Sequence, residues 1–300
     1  MSDIKRVYAF GGGRTEGNKD LKFILGGKGA NLAEMASMGL PVPPGFTISC
    51  QTCMEYYNAT PPAFPEGLEA DIATYVAELE GKMGKRLGDP ADPLLVSVRS
   101  GSPFSMPGMM DTILNLGLND VSVHGLIAQT GNERFAWDSY RRFIQMFSKV
   151  VLDVDGDRFE NAINKMKLAR GAKNDTDLDA TAMRALVDEF KQIVSSNVSA
   201  EEFPMLAAGG YVVFPQVVAD QLTLAIEAVF RSWNNKRAID YRKMERIPDD
   251  LGTAVNVQSM VFGNKGDTSA TGVAFTRNPA DGTKEYYGDF LTNAQGEDVV

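Results

Sequence analysis

Four short stretches of this 300-residue chain carry residue types able to handle a phosphorylated ligand. The first is "LGGKGANLAEM", Leu25 to Met35, in which three glycines surround Lys28 directly ahead of a helical pattern. Glycines let backbone N–H groups approach an anion, a helix N-terminus adds partial positive charge, and the lysine adds a full one. Neither the Walker A spacing nor the dinucleotide fingerprint is present, so a glycine turn with a solvated lysine stays open as the alternative. The second stretch is "LLVSVRSGSPFSMPGMMDT", which puts Arg99 at the end of a strand-like run. A guanidinium at the mouth of a sheet can grip phosphate oxygens bidentately. Gly101 and Gly108 would let the following loop fold over a ligand, and Met106, Met109 and Met110 would line it with adaptable apolar surface. Equally, Arg99 would pair with an acid and the methionines pack as core.

The third stretch, "NVQSMVFGN", sets Gln258 beside Met260 and Val261. That pattern suits an edge that hydrogen-bonds and sandwiches a flat heterocycle, and any half-buried strand looks similar. The fourth, "AQGEDVV", offers Glu297 for a ribose hydroxyl or a metal, or as a surface acid. Other chemistry has little material. The single histidine, His124, lies in an apolar stretch, where a lone histidine is usually structural, and it leaves little material for Ser-His-Asp and metal-histidine designs. Cys50 and Cys53 form a C-x-x-C without a second ligand pair for zinc; a dithiol centre is conceivable, and two packed, reduced cysteines are the plainer reading.

Thirty basic against 39 acidic side chains give a net charge of −9, which argues against nucleic acid or an anionic membrane as partner. A phosphate ligand must then be held by local groups. No secretory h-region or bilayer-length apolar run occurs, and the chain reads as cytosolic.

The elements that must position these residues follow from periodicity. Leu32, Met35, Ala36 and Met38 have helical spacing after the glycine-lysine turn, with Gly39 as C-cap and Pro41 just beyond. "GFTIS" and "LLVSVR" read as strands and residues 66–87 as a helix. Tyr140, Phe143, Ile144, Phe147 and Val151 mark one apolar helix face within a mostly helical stretch. Leu222, Ile226, Val229, Phe230 and Trp233 mark another. After residue 250 three strand-like runs joined by Gly/Asn/Asp turns read as an antiparallel meander. The chain stops inside an apolar run, which suggests a piece of a longer protein. The glycines at 11–13 carry no assigned role.

Read in order, "GGKGANLAEM", "LLVSVRSG", "SMPGMMDTILNLGLND", "YRRFIQMF", "GTAVNVQSMVFGN", "TGVAFTRNP" and "NAQGEDVV" resemble the nucleotide-binding part of the pyruvate, phosphate dikinase family. Pyruvate, water dikinases share the glycine-lysine loop and the arginine strand but differ after the arginine. The resemblance implies an α+β, two-lobed ATP-grasp fold with a helical insertion in the first lobe and an incomplete C-terminal lobe. Its expected divisions are a first lobe over 1–120, a helical insertion over 121–203, a return helix over 204–250 and the start of the second lobe over 251–300.

The family interconverts ATP, phosphate and pyruvate with AMP, pyrophosphate and phosphoenolpyruvate, passing the β-phosphoryl of ATP to a histidine on a separate swivelling domain. A barrel domain then uses that phosphohistidine. By resemblance Lys28 and Arg99 are phosphate-gripping, transition-state-stabilising cations. Gly101, Gly108 and Met110 belong to a loop over the phosphates, Gln258, Met260 and Val261 to the adenine strand, and Thr271 and Glu297 lie near the phosphates and ribose. The resemblance implies Mg²⁺ with ATP, its acidic ligands expected beyond Val300, and a homodimer at full length. His124 is not in the family's Thr-Ser-His context, so neither the phosphohistidine nor the barrel is expected here. On this expectation the chain alone would be inactive. A non-catalytic adenine-nucleotide module is the alternative from another class.

Overall fold

The computed structural model describes residues 5–208, 211–296 and 299. Strand β1 (Val7–Phe10) leads through a turn over Gly11–Gly13 to helix α1 (Lys22–Ser37) and strand β2 (Gly45–Ile48). Helices α2 (Cys50–Asn58) and α3 (Leu68–Met83) follow. A two-residue pair, β3 (Arg86–Leu87) with β4 (Pro93–Leu94), precedes the long hairpin β5 (Val96–Gly101) and β6 (Thr112–Leu116). Four helices come next: α4 (Ser122–Thr130), α5 (Glu133–Val150), α6 (Gly156–Arg170) and α7 (Ala180–Asn197). A second short pair, β7 (Ala207–Ala208) and β8 (Tyr211–Val212), leads to α8 (Val218–Ser232) and α9 (Lys236–Glu245). The last strands are β9 (Ala254–Ser259), β10 (Ala270–Phe275) and β11 (Tyr287–Thr292).

The main sheet has the order β1-β2-β9-β5-β6, with every neighbouring pair antiparallel. Opposed residues of antiparallel strands share a face. The register therefore writes two rows. Phe46, Val257, Val98 and Ile113 run across the apolar face, and Thr47, Asn256, Arg99 and Thr112 run across the other. Helix α8, which buries Leu222, Ile226, Val229 and Phe230, packs on β5, β6 and β9 and covers the apolar row. Helix α1 crosses the polar row, with Gly29 lying over Thr47 and Asn256.

The structure departs from the sequence pattern at β9 and at α1. The run "TAVNVQS" was expected to open the second lobe and to join a three-stranded meander. It instead forms the central strand of the first sheet, because Val255 and Val257 supply the apolar row that β2 and β5 need between them. Only β10 and β11 form the later hairpin. Helix α1 also buries a different face from the one its large residues suggest. Leu25, Gly26, Gly29, Ala30 and Ala33 are buried, whereas Met35 and Met38 are exposed. The helix lies so close to the sheet that only small side chains fit between them.

The helical region over α4–α7 shares its core with the sheet. Tyr140, Phe143, Ile144 and Phe147 are fully buried, and the Phe143 and Phe147 rings both lie 5.5 Å from that of Phe214, ahead of α8. Asp120 ties the two parts at the surface by accepting hydrogen bonds from the Tyr140 hydroxyl at 2.9 Å and from Lys191. The Gly11–Gly13 turn finds a local use. It brings Glu16 back to accept from the Ala9 N–H at 2.7 Å, while Lys82 donates to the Gly11 carbonyl at 3.1 Å. Among the described residues no helix is long and apolar enough to cross a membrane.

Truncating Phe143 to alanine should cost about 3–5 kcal/mol. Because one core joins the helices to the sheet, urea transitions followed by circular dichroism and by tryptophan fluorescence should coincide. Two separated transitions would show that the helical region is an independent unit.

Candidate functional site

Lys28 is placed by a break in its own helix. Gly26 has φ 67° and ψ 169°, so the turn over Lys22–Leu25 ends there and a new helical segment starts at Gly27. At that break the backbone presses on the end of β5. The Gly27 N–H donates to the Ser102 carbonyl at 2.9 Å, and a Cβ at Gly26 would be driven into the Gly101 carbonyl. Gly101, expected to aid a loop over the phosphates, thus forms the seat on which the lysine loop rests. Lys28 Nζ donates to the Ser100 carbonyl at 3.0 Å.

Arg99 projects from the middle of the polar row, opposite Asn256 on one side and Thr112 on the other. Lys28 and Arg99 are both exposed to solvent, yet the protein mass around them depresses both pKa values. For Lys28, burial is the larger cause and the neighbouring Arg99 charge the smaller; for Arg99 it is burial alone. Solvent access combined with dense surroundings describes two cations on the wall of a cleft. No carboxylate of a described residue offsets the Arg99 charge, which removes the ion-pair alternative for that residue.

That cleft has a volume of about 570 Å³ and runs from the sheet to the base of the β10–β11 hairpin. Lys28, Arg99, Met260, Val261 and Thr271 all line it, joined by Thr112, Leu114, Phe262 and Asn264. Five of the residues singled out from sequence thus share one cavity. Met260 is fixed from below, where its sulfur accepts from the Asn115 N–H at 3.0 Å. Thr271 closes the hairpin base by donating to the Ala294 carbonyl at 2.7 Å. None of the described lining residues is acidic. Nor do the described residues contain a group of three or more His, Cys, Asp or Glu side chains that could hold a metal ion.

The other expected residues lie elsewhere. Gln258 is buried, and its carboxamide donates to the Pro43 carbonyl at 3.0 Å instead of facing the cleft. Gly108 and Met110 line a separate hollow of about 490 Å³ between their loop and α5, with Arg141, Arg142, Lys149 and Arg237 nearby. The loop is held at both ends. The Phe104 ring meets Phe23 edge-on at 6.2 Å, and Asp111 accepts from Arg237 and from Asn235 at 3.1 Å. Thr112 borders both the hollow and the cleft. Glu297 lies outside the described residues.

Cys50 and Cys53 are free, buried thiols, each pushed up to about 12 by burial, which suits packing and not redox chemistry. His124 is exposed, with its ring against Trp137 at 5.7 Å.

Thr112, Leu114 and Phe262 were not singled out from sequence. Thr112 faces Arg99 only because of the hairpin register, and ten residues of intervening loop hide that register from a linear reading.

The family model described as "Pyruvate phosphate dikinase, AMP/ATP-binding domain" matches residues 22–63 and 61–300. The chain is 54% identical over 296 residues to a pyruvate, phosphate dikinase of Clostridium symbiosum, covering 99% of this chain and 32% of that protein. It is 54% identical over 296 residues to the chloroplastic pyruvate, phosphate dikinase 1 of Arabidopsis thaliana, covering 99% and 29%. It is 52% identical over 301 residues to a pyruvate, phosphate dikinase of Giardia intestinalis, covering 99% and 32%. The chain therefore spans about a third of the length of the curated relatives it matches.

The paired cations give a direct test. A like charge disfavours protonation, so Arg99→Ala should raise the Lys28 pKa toward its ordinary value while burial keeps it somewhat below. The pH dependence of amine labelling at Lys28, read by mass spectrometry, should move to higher pH in the variant. An unchanged profile would place the two charges out of reach of each other.

Proposed function

The chain belongs to the pyruvate phosphate dikinase AMP/ATP-binding domain family, and we propose on that footing that it holds ATP in the Lys28–Arg99 cleft as the phosphoryl-donating part of a pyruvate, phosphate dikinase. The observation that carries this reading is the convergence of Lys28, Arg99, Met260, Val261 and Thr271 on one cavity. The triphosphate would lie against the two cations and Thr112, at the open end of the polar row. The base would lie against Met260 and Val261, in apolar surroundings extended by Leu114 and Phe262.

At full length the β-phosphoryl would pass to a histidine on a separate swivelling domain. The whole cycle would interconvert ATP, phosphate and pyruvate with AMP, pyrophosphate and phosphoenolpyruvate. A phosphoryl group in transfer spreads negative charge over its oxygens, so fixed cations in a dry site lower the barrier more than covalent help would. Lys28 is suited to this because its present acceptor is the neutral Ser100 carbonyl. Exchange for a phosphate oxygen breaks no ion pair, and an anion there would offset the burial and the Arg99 charge that now depress the Lys28 pKa.

ATP chemistry of this family implies Mg²⁺, which when bound would neutralise the phosphates. The described cleft residues do not fit that ion, since none is a carboxylate. The loop bearing Gly108 and Met110 would cover the phosphates only by moving from its place over the hollow toward Thr112.

Calorimetric titration of the chain with ATP should show binding that Mg²⁺ changes little, and absence of ATP binding would overturn the assignment of the cleft. In the full-length protein Arg99→Ala should abolish labelling of the acceptor histidine by β-³²P-ATP while AMP binding persists. Labelling at the ordinary rate would make Arg99 structural.

A further inference from the structure

Beneath the two cations lies a buried polar pair that the proposed chemistry does not itself use. Thr47 and Asn256 are each 1% exposed and sit side by side in the same sheet row as Arg99. The Thr47 hydroxyl donates to Asn256 Oδ1 at 2.9 Å. The Asn256 amide reaches across to the Arg99 carbonyl at 3.5 Å. Buried polar side chains, Thr47 between Phe46 and Ile48 and Asn256 between Val255 and Val257, cost stability unless they are satisfied, and the Thr47–Asn256 and Asn256–Arg99 hydrogen bonds supply the partners.

The pair touches both carriers of charge. A Cβ at Gly29, one residue after Lys28, would stand 2.9 Å from Asn256 Oδ1 and 2.9 Å from Thr47 Oγ1. One at Gly101, two residues after Arg99, would stand 2.7 Å from Asn256 Nδ2 and 3.7 Å from the Lys28 Cβ. The helix backbone thus rests on one end of the pair and the arginine strand on the other. The backbone beside Lys28 and the backbone beyond Arg99 therefore both lie against the same two side chains.

We propose that Thr47 and Asn256 are positioning residues for the Lys28–Arg99 cation pair, acting as a buried spacer that fixes the separation of the two charges on the polyphosphate. This rests on the reading of the cleft as an ATP site. The spacer touches no part of the cleft surface itself, since neither residue lines it. Its effect must therefore be felt by ligands that bridge both cations, and not by those that mainly occupy the base-binding end.

Thr47→Val keeps shape and removes the donor, leaving Asn256 Oδ1 without its partner, whereas Thr47→Ser keeps the hydroxyl. Measured by calorimetry on the chain, Thr47→Val should weaken ATP binding about tenfold and leave AMP binding unchanged, with Thr47→Ser close to the parent protein. Parallel loss of ATP and AMP binding, no loss at all, or failure of serine to rescue would overturn the spacer. Should the parent protein bind neither nucleotide, the ATP reading falls by itself and the spacer is judged on a ligand-free readout. In that measurement Thr47→Val should move the Lys28 amine-labelling profile to higher pH as the cations separate, and Thr47→Ser should not. An unmoved profile in Thr47→Val would sink the proposal.

Discussion

The close contact between the Gly26 turn and the Gly101 end of β5 is the constraint on which the cleft depends. Two cations from distant parts of the chain are brought onto one wall, against their mutual repulsion, because backbone meets backbone there without side chains between. Gly26 adopts a positive φ at the same place where a Cβ would strike Gly101, so conformation and space both demand glycine. Everything else at the site follows from that approach. The helix is pulled close, its contact face becomes Gly29, Ala30 and Ala33, and Lys28 is left standing over the sheet beside Arg99.

Much of this was legible from sequence because it rests on local chemistry. The apolar periodicity of α5 and α8 appears in the structure as buried faces, and Gly39 lies just past the end of α1 with φ 81°. The glycines around Lys28 and the strand ahead of Arg99 pointed to one kind of ligand, and the cleft contains both residues. What failed did so for a physical reason. Helix α1 was read by its large apolar residues, but its packing distance is set by glycine and alanine, so Met35 and Met38 face outward. Small residues give a weak periodic signal even where they make the tightest contact.

Strand β9 failed differently. Its alternation marked it as a strand, but which strands it joins is a long-range matter that no window of sequence contains. Once it is placed between β2 and β5, Asn256 comes next to Thr47 and Arg99, and the polar row across the sheet appears. Gln258, two residues on, lies on the same face but beyond the open part of the cleft, where its amide is engaged by Pro43. The site is thus a property of register as much as of motif. Motifs supplied the cations, and the order of strands supplied their spacing.

In the proposed complex one ligand bridges Lys28 and Arg99 at the open end of this row. A crystal structure of the chain with a non-hydrolysable ATP analogue tests it most directly. The prediction is that Lys28 Nζ leaves the Ser100 carbonyl, that phosphate oxygens lie within hydrogen-bond distance of both it and the Arg99 guanidinium, and that the base rests against Met260 and Val261. A nucleotide found in the hollow beneath Gly108 and Met110, with Lys28 still on Ser100, would contradict it.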